Sequence, residues 1–397
     1  MAAAPARPGR PDVLRSMNDR TALSLLIANG PMTRSQLRLA TNLSGPTTSE
    51  MVRRLRAAGL VDEAGHVPAS SGPNAVAYRA RTQTSRGVAL QMLPRSALAC
   101  VVDASTGESP AAEVPLTQPR SATTDVAAAI AAACAVADQD SKDIVAVSVG
   151  VPGAVSPGNS HLNFVGPLPG WTRRDVRTEL EQQLELAVLI DNDANLAAIA
   201  ELNTRKDKTD FVLLWEGEGL RVASVMDGHI QPGATGGAGE IGYLPSPSAS
   251  QTSGKPVTLQ DRAGSSAVMR LVRSHIHSVR TYDAALDALA HSSLRTAPLE
   301  ELAARTVEIV VPVLAVLDPP RVILSGPTGT AGGLEFARLV QAHLQRSTRW
   351  RVPILPSAVT SDPVLHGAAL TLAAYLTERM LGLVDQLATR PRPTTTE

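Results

Sequence analysis

A chain of 397 residues with 44% hydrophobic and 19% charged residues has material for two or three globular domains with full cores. Its 37 basic and 37 acidic residues cancel, which excludes nucleic-acid binding driven by bulk charge and confines any such role to a local patch. No apolar run is long enough to cross a bilayer, and the MAAAPARPGRP start lacks the apolar stretch of a secretory leader, so a cytoplasmic chain with no membrane partner is expected.

Residues 1–11, rich in Pro, Ala and Arg, are predicted to be disordered, and a compact unit is predicted over 12–82. Val13, Leu14, Met17, Ala22, Leu23, Leu25 and Leu26 trace one face of a first helix that stops at Gly30. A turn at 31–35 leads to a second helix through Leu37, Leu39 and Ala40. Ser44 reads as the N-cap of a third helix, with Pro46 in its first turn and Met51, Val52, Leu55 and Ala58 inward. Strands are expected from Leu60 and again over 75–80, joined by a loop at 65–72. Three helices and a hairpin in this order make a winged helix-turn-helix. Arg34, Ser35, Ser44, Thr47, Thr48, Ser49 and Arg53 are then the candidate DNA-facing residues. Short side chains let a helix enter the major groove, and Arg34, Arg38, Arg53, Arg54 and Arg56 supply phosphate-seeking charge. The alternative is a solvated polar face with no partner.

A second unit is predicted over 83–388, with strands at 88–90, 97–102, near Val114 and at 144–149, and a helix at 124–137. Cys100 and Cys134 lie in apolar surroundings and read as buried free thiols in a reducing compartment. The most informative stretch is LIDNDANLAAIAE, 189–201, where an apolar run stops at Asp191, Asn192 and Asp193 and a helical pattern begins. Such strand-to-helix junctions are where open α/β sheets bind ligands, and the same polar residues also serve as helix caps. Further on, strands are expected at 211–215 and 221–226, and a last helix from 363 to 383, running on to about 388. Residues 389–397 are predicted to be a disordered tail.

LIDNDANLAAIAE, GVPGAV (150–155), LPGW (168–171), MDGHIQPGATGGAGEIGYLP (226–245), LDPPRVILSG (317–326) and HGAALTLAA (366–374) occur in the order seen in the ROK family. The chain resembles that family, which groups sugar kinases and repressors, from about Gly87 to Leu383, and GPMTRSQLRLATNLSGPTTSEMVRRLRAAGLV resembles its repressors. The resemblance implies an α/β, actin-like ATPase (ROK) domain of two lobes around a cleft, preceded by an α+β winged helix-turn-helix domain.

Several departures from the family pattern bear on activity. Family kinases carry Asp-x-Gly-Gly-Thr after the first strand of the domain and Gly-Thr-Gly in a second turn. Here Ala89 stands at the Asp, Gln91, Met92, Leu93 and Pro94 replace the glycine-rich turn, and the second turn reads Gly217-Glu218-Gly219. Bulky side chains and a carboxylate cannot cradle a triphosphate. Asp193 matches the family's catalytic base but is expected to be inactive without a phosphoryl donor, so no catalytic residue, no cofactor and no enzyme activity are predicted. The family's zinc motif, Gly-Glu-x-Gly-His with a following Cys cluster, reads Gly239-Glu240-Ile241-Gly242-Tyr243 with no Cys nearby, so no metal site is expected. Asn192, Asp193 and Glu240 match family sugar contacts, Tyr243 and Gln260 stand where His and Glu are usual, and Asn163 is a further candidate. Gly233, Gly236, Gly237 and Gly239 permit the turn that aims Glu240. Arg95 and Arg221, beside the altered turns, are expected in surface ion pairs, with an anion such as a sugar phosphate as the other reading. The wing carries Gly72-Pro73-Asn74 where the repressors have Gly-Arg-Pro, and Arg79 is placed at a strand end. Together these lead to a transcriptional regulator, a repressor without kinase activity, that binds an inverted-repeat double-stranded DNA operator as a homodimer or homotetramer and answers to a sugar or sugar phosphate. The rival readings are a regulator whose cleft takes another ligand or a protein partner, and an active ATP-dependent sugar kinase.

Overall fold

The computed structural model describes residues 11–68, 74–105, 107–156, 161–163, 168–171, 174–207, 209–247 and 256–389. The predicted disorder of 1–11 and 389–397 and the wing tip at Gly72-Pro73 fall almost wholly outside them.

The amino-terminal unit comprises α1 (Pro11–Asn29), β1 (Met32–Thr33), α2 (Arg34–Thr41), α3 (Gly45–Ala57), β2 (Val61–Val67) and β3 (Ala75–Ala80), with the sheet ordered β1-β3-β2. Thr33 starts α2 through a reciprocal cap with Gln36, and the Ser44 hydroxyl accepts the Thr47 N–H at 3.3 Å to start α3. Leu23, Leu26, Leu37, Met51, Val52 and Leu55 close its core. Three expectations are corrected. β2 continues to Val67, through a bulge at Glu63/Gly65, where a loop from 65 was expected. Val13, Leu14 and Met17 are exposed, because the first turns of α1 run past the three-helix core beside the end of the chain's last helix, where Ser16 and Arg20 bond Asp385. Leu39 is exposed on α2, which buries only Leu37.

Two lobes follow, each built on a five-stranded sheet of the same topology. The first contains β4 (Arg86–Met92), β5 (Ser96–Asp103), β6 (Ala112–Pro115), α4 (Ala122–Ala137), β7 (Ile144–Val151), the small hairpin β8 (Ala154–Val155) and β9 (Leu162–Asn163), α5 (Val176–Leu184) and β10 (Ala187–Asn192). The second contains α6 (Asp193–Thr204), which packs at the boundary, β11 (Phe211–Glu216), β12 (Leu220–Met226), β13 (His229–Ile230), α7 (Leu259–Ala263), α8 (Ser265–His275), α9 (Tyr282–His291), α10 (Thr296–Leu317), β14 (Val322–Ser325), α11 (Gly326–Ser347) and β15 (Ile354–Pro356). The sheets run β10-β7-β4-β5-β6 and β13-β12-β11-β14-β15. In each, three antiparallel strands are extended by two parallel strands on the side of the first.

The last helix, α12 (Pro363–Thr389), returns to the first lobe and lies on β4 and α6. The fit is close enough that a Cβ on Gly367 would sit 1.9 Å from the Leu196 carbonyl oxygen. One apolar cluster runs from Leu23 and Leu26 of α1 through Leu376, Met380 and Val384 of α12 to Leu196 of α6. Arg20 of α1 adds bonds to Glu378 and Asp385 of α12 at 3.1 and 2.8 Å. The winged helix is therefore seated on the first lobe through α12. Among the described residues no helix is long and apolar enough to cross a membrane.

Candidate ligand cleft and nucleic-acid interface

The junction between β10 and α6 carries the DNDAN residues, and each has a distinct partner. Asn192 caps α6, its Oδ1 accepting the Asn195 N–H at 2.7 Å. Asp191 Oδ1 accepts the Asn192 N–H and the Asn195 amide at 2.7 and 2.9 Å. Asp193 points into the boundary between the lobes and meets Arg221 of β12, whose Nη1 lies 3.1 Å from both carboxylate oxygens. Arg221 Nε donates to Glu240 Oε1 at 2.9 Å. The result is a buried Asp193–Arg221–Glu240 triad. Glu240 is aimed there by a tight loop in which Gly239, at φ +81°, brings its backbone against β12; a Cβ would lie 1.8 Å from the Val222 carbonyl oxygen. Burial pushes the Asp193 and Glu240 carboxyls up, and Arg221 draws both back down.

Arg221 was expected in a surface ion pair, and the structure corrects this: it is 4% exposed. Its strand is almost wholly buried, so its charge had to find carboxylates inside the protein. Arg95 is exposed and has no ionic partner among the described residues.

The remaining sugar-contact candidates are engaged elsewhere. Gln260 accepts the Leu220 N–H at 2.8 Å and donates to the Glu218 carbonyl at 2.6 Å, bracing the turn between β11 and β12. Tyr243 is 60% exposed, in a short helical turn after Glu240. Asn163 is exposed on β9 and donates to Ser156 at 3.2 Å. Of the six, Asp193 and Glu240 share one partner, and Asn192 adjoins them.

Beside the triad lies a cleft of about 440 Å³ between the lobes. Gln91, Met92, Leu93 and Pro94, the residues in place of the first phosphate turn, form one wall, and Gly217 and Glu218 of the second turn face them. Ala89 is buried within β4. Trp215, Leu286 and Ala331 make much of the remainder apolar.

Behind the second turn sits a group the sequence reading missed. Glu216 ends β11 fully buried, accepts the Thr306 hydroxyl at 2.8 Å and leaves Oε2 without a partner. Burial pushes its carboxyl up to about 7. The signal was a carboxylate closing a strand whose every other residue is apolar or aromatic. Glu201 of α6, also fully buried, accepts from Arg205, the Ser357 hydroxyl and the Ala358 N–H, and thereby ties α6 to the segment before α12. Cys100 and Cys134 are both buried, and burial pushes the Cys100 thiol up to about 12, leaving it inert.

On the winged helix, Arg34, Ser35, Ser44, Thr47, Ser49 and Arg53 are exposed on α2 and α3. Thr48 is the exception and a correction: it is 1% exposed, and its hydroxyl bonds back to the Ser44 carbonyl at 3.0 Å. Its spacing to Met51, Val52 and Leu55 places it on the inward stripe of α3. Arg53 is held by both oxygens of Glu50 at 2.9 and 2.6 Å, Arg54 by Asp19 and Arg56 by Glu63. Arg34 lies over the Tyr78 ring at 5.2 Å. Arg79 is exposed within β3, away from the hairpin tip.

A model of the ROK family matches residues 95–374, and one of winged helix-turn-helix DNA-binding domains matches 18–62. The chain belongs to the ROK family. Similar relatives include a glucokinase of Halalkalibacterium halodurans, 27% identical over 43% of this chain and 53% of its own length. The DNA-binding transcriptional dual regulator NagC of Escherichia coli K12 is 22% identical over 60% of each chain. The match thus spans about half to three fifths of these curated relatives. A solved ROK family transcriptional regulator, a homologue of the E. coli MLC protein, shares the fold at TM-score 0.70 and 18% identity, covering 94% of this chain and 99% of that one. Both the winged helix and the two-lobed ROK domain expected from the sequence are present. Within this ROK domain, no group of three or more His, Cys, Asp or Glu stands close enough to hold a metal ion among the described residues.

Proposed function

We propose that this ROK protein is a DNA-binding transcriptional regulator, a repressor, that does not phosphorylate sugars. The observation that carries the first half is the open face of α3, where Ser44, Thr47, Ser49 and Arg53 project from a domain otherwise seated on α12. Small hydroxyl side chains with cations at the edge suit entry into a major groove and grip on its phosphates. The two-fold arrangement of such regulators leads to an inverted-repeat operator read by a homodimer or a larger homo-oligomer.

The test is selection of bound sequences from a random duplex library with the full-length protein. An inverted repeat should emerge, and Arg53→Ala should weaken binding to it and to random DNA alike, lowering the salt slope by about one unit. Thr48→Ala, on the inward face, should instead act through folding. Recovery of the same repeat by a chain lacking residues 1–82 would remove the winged helix from the reading.

Against phosphoryl transfer stands the Arg221 guanidinium on Asp193. A general base must reach its proton with a matched pKa, and this carboxylate is instead held at 3.1 Å against a buried guanidinium that favours its charged form and fixes its position. Glu218, projecting into the cleft, would repel a polyphosphate. Incubation with ATP-Mg and glucose or N-acetylglucosamine should give no turnover above background; turnover abolished by Asp193→Asn would reverse the reading.

The same geometry favours an effector other than a sugar. Asp193 and Glu240 face each other through Arg221, Asn192 is a cap and Gln260 a brace, so few acceptors are left to meet a ring of hydroxyls. The name of NagC and the glucose kinases of the family support the sugar reading. It predicts that N-acetylglucosamine or glucose shifts operator affinity, and the same DNA titrations decide between the two.

A further inference from the structure

The cleft has a chemical character that points away from nucleotides and sugars alike. Its walls include Met92, Trp215, Leu286, Ala331 and Val364, all apolar. Its polar lining carries the carboxylates of Asp193, Glu218, Asp287 and Asp362, with the Gln91 amide and the Thr330 and Thr360 hydroxyls beside them. Among the described residues no Lys or Arg lines it, and His291 is tied to Asp287 at 3.0 Å. Two helix N-termini open on it, each with a feature that weakens its pull on an anion. Asp362 stands immediately before α12, and Pro327 removes an N–H from the first turn of α11. Burial, with repulsion from Asp283 and Asp193, pushes the Glu218 carboxyl up, so a cation placed beside it would relieve unfavourable energy.

We propose that this cleft binds a small organic ammonium, a protonated amine on an apolar or aromatic body. The body packs against Trp215, Leu286 and Ala331. The ammonium N–H groups meet Glu218. Cavities of this size take drug-sized ligands, with apolar walls giving affinity and a few polar groups giving orientation. Binding itself stands independently of the regulator reading. Only the consequence for DNA rests on it.

The probe is 2-phenylethylammonium chloride, compared with its neutral isostere 2-phenylethanol and with ATP-Mg at constant ionic strength. Thermal melting and calorimetry of the full chain give binding, and titration of a protein–DNA complex gives coupling. The amine should raise the melting temperature saturably and bind at least about tenfold more tightly than the alcohol. ATP-Mg should give no shift. Glu218→Gln, an isosteric change on an exposed turn that leaves the backbone bond to Gln260 in place, should remove most of the preference for the amine while leaving the alcohol unaffected. Asp287→Asn, on the outer face of α9, should act in the same direction more weakly. Equal binding of amine and alcohol, no saturable binding of the amine, or an amine titration unchanged in both variants overturns the proposal. Amine binding without change in DNA affinity upholds the site and counts against its coupling to the winged helix. DNA binding without amine binding leaves the regulator standing and removes the site.

Discussion

Arg221→Met should destabilise the protein by about 3–5 kcal/mol, because removing one member of a buried ionic cluster strands the others. Met is chosen to keep the apolar volume of β12 while deleting the guanidinium. Asp193 and Glu240 would then face each other with no counter-charge. Both can take up protons, so the loss should be smallest near pH 5 and grow toward pH 8. The sign follows from linkage: carboxyls whose folded pKa rises above the unfolded value weaken the fold as pH rises through that interval. Urea denaturation at the two pH values measures this. The triple variant Asp193→Asn/Arg221→Met/Glu240→Gln should recover most of the loss, since a neutral cluster of similar volume has no charge to strand. A single variant within about 1 kcal/mol of wild type would mean that the triad is not a structural strut.

Glu216→Gln should do the opposite at neutral and alkaline pH. Below about 4.5 the Glu216 carboxyl is protonated whether the chain is folded or not, and it imposes no penalty. Between there and about 7 the unfolded chain releases the proton while the folded one keeps it, so stability falls as pH rises, and above about 7 the penalty is complete. A shift of that size corresponds to a penalty on the order of 3 kcal/mol. The Gln variant should therefore show a flatter stability profile, with wild type losing on the order of 2–3 kcal/mol more than the variant between pH 5 and pH 8. Parallel profiles would show that Glu216 is solvated or paired in solution, in conflict with its unpartnered Oε2.

What the sequence displays and what it hides divide along a physical line. The strand ends at Asn192, the cap at Ser44 and the last helix from Pro363 were legible because hydrophobic period and capping chemistry act over a few neighbouring residues. The fate of Val13, Leu14 and Met17 was not, since a helical stripe does not announce where its packing partner ends. Thr48 could have been placed correctly: its spacing to Met51 and Leu55 outweighs the hydroxyl chemistry that suggested a DNA contact. At the candidate site the residue types were visible, but their pairing was not. Arg221 reaches Asp193 from 28 positions away across the lobe boundary, and nothing local to either residue specifies that meeting. A more general signal was available, a cation inside a strand otherwise buried, which must be neutralised by something brought from elsewhere.

α12 touches both ends of the molecule's business. Pro363 and Val364 at its start line the cleft, while Glu378 and Asp385 toward its end hold Arg20 of α1. Between them the helix has no proline, and at 1.5 Å per residue its 27 residues form a rod of roughly 40 Å. Such a rod would convert tilt into travel: a few degrees at the cleft would become about an ångström or more at Glu378 and Asp385, roughly 22–33 Å along the helix. The winged helix rides on that end. On the proposed regulator reading, a ligand that tilted α12 would change the distance between two recognition helices on a duplex, a quantity set against the fixed helical repeat of DNA.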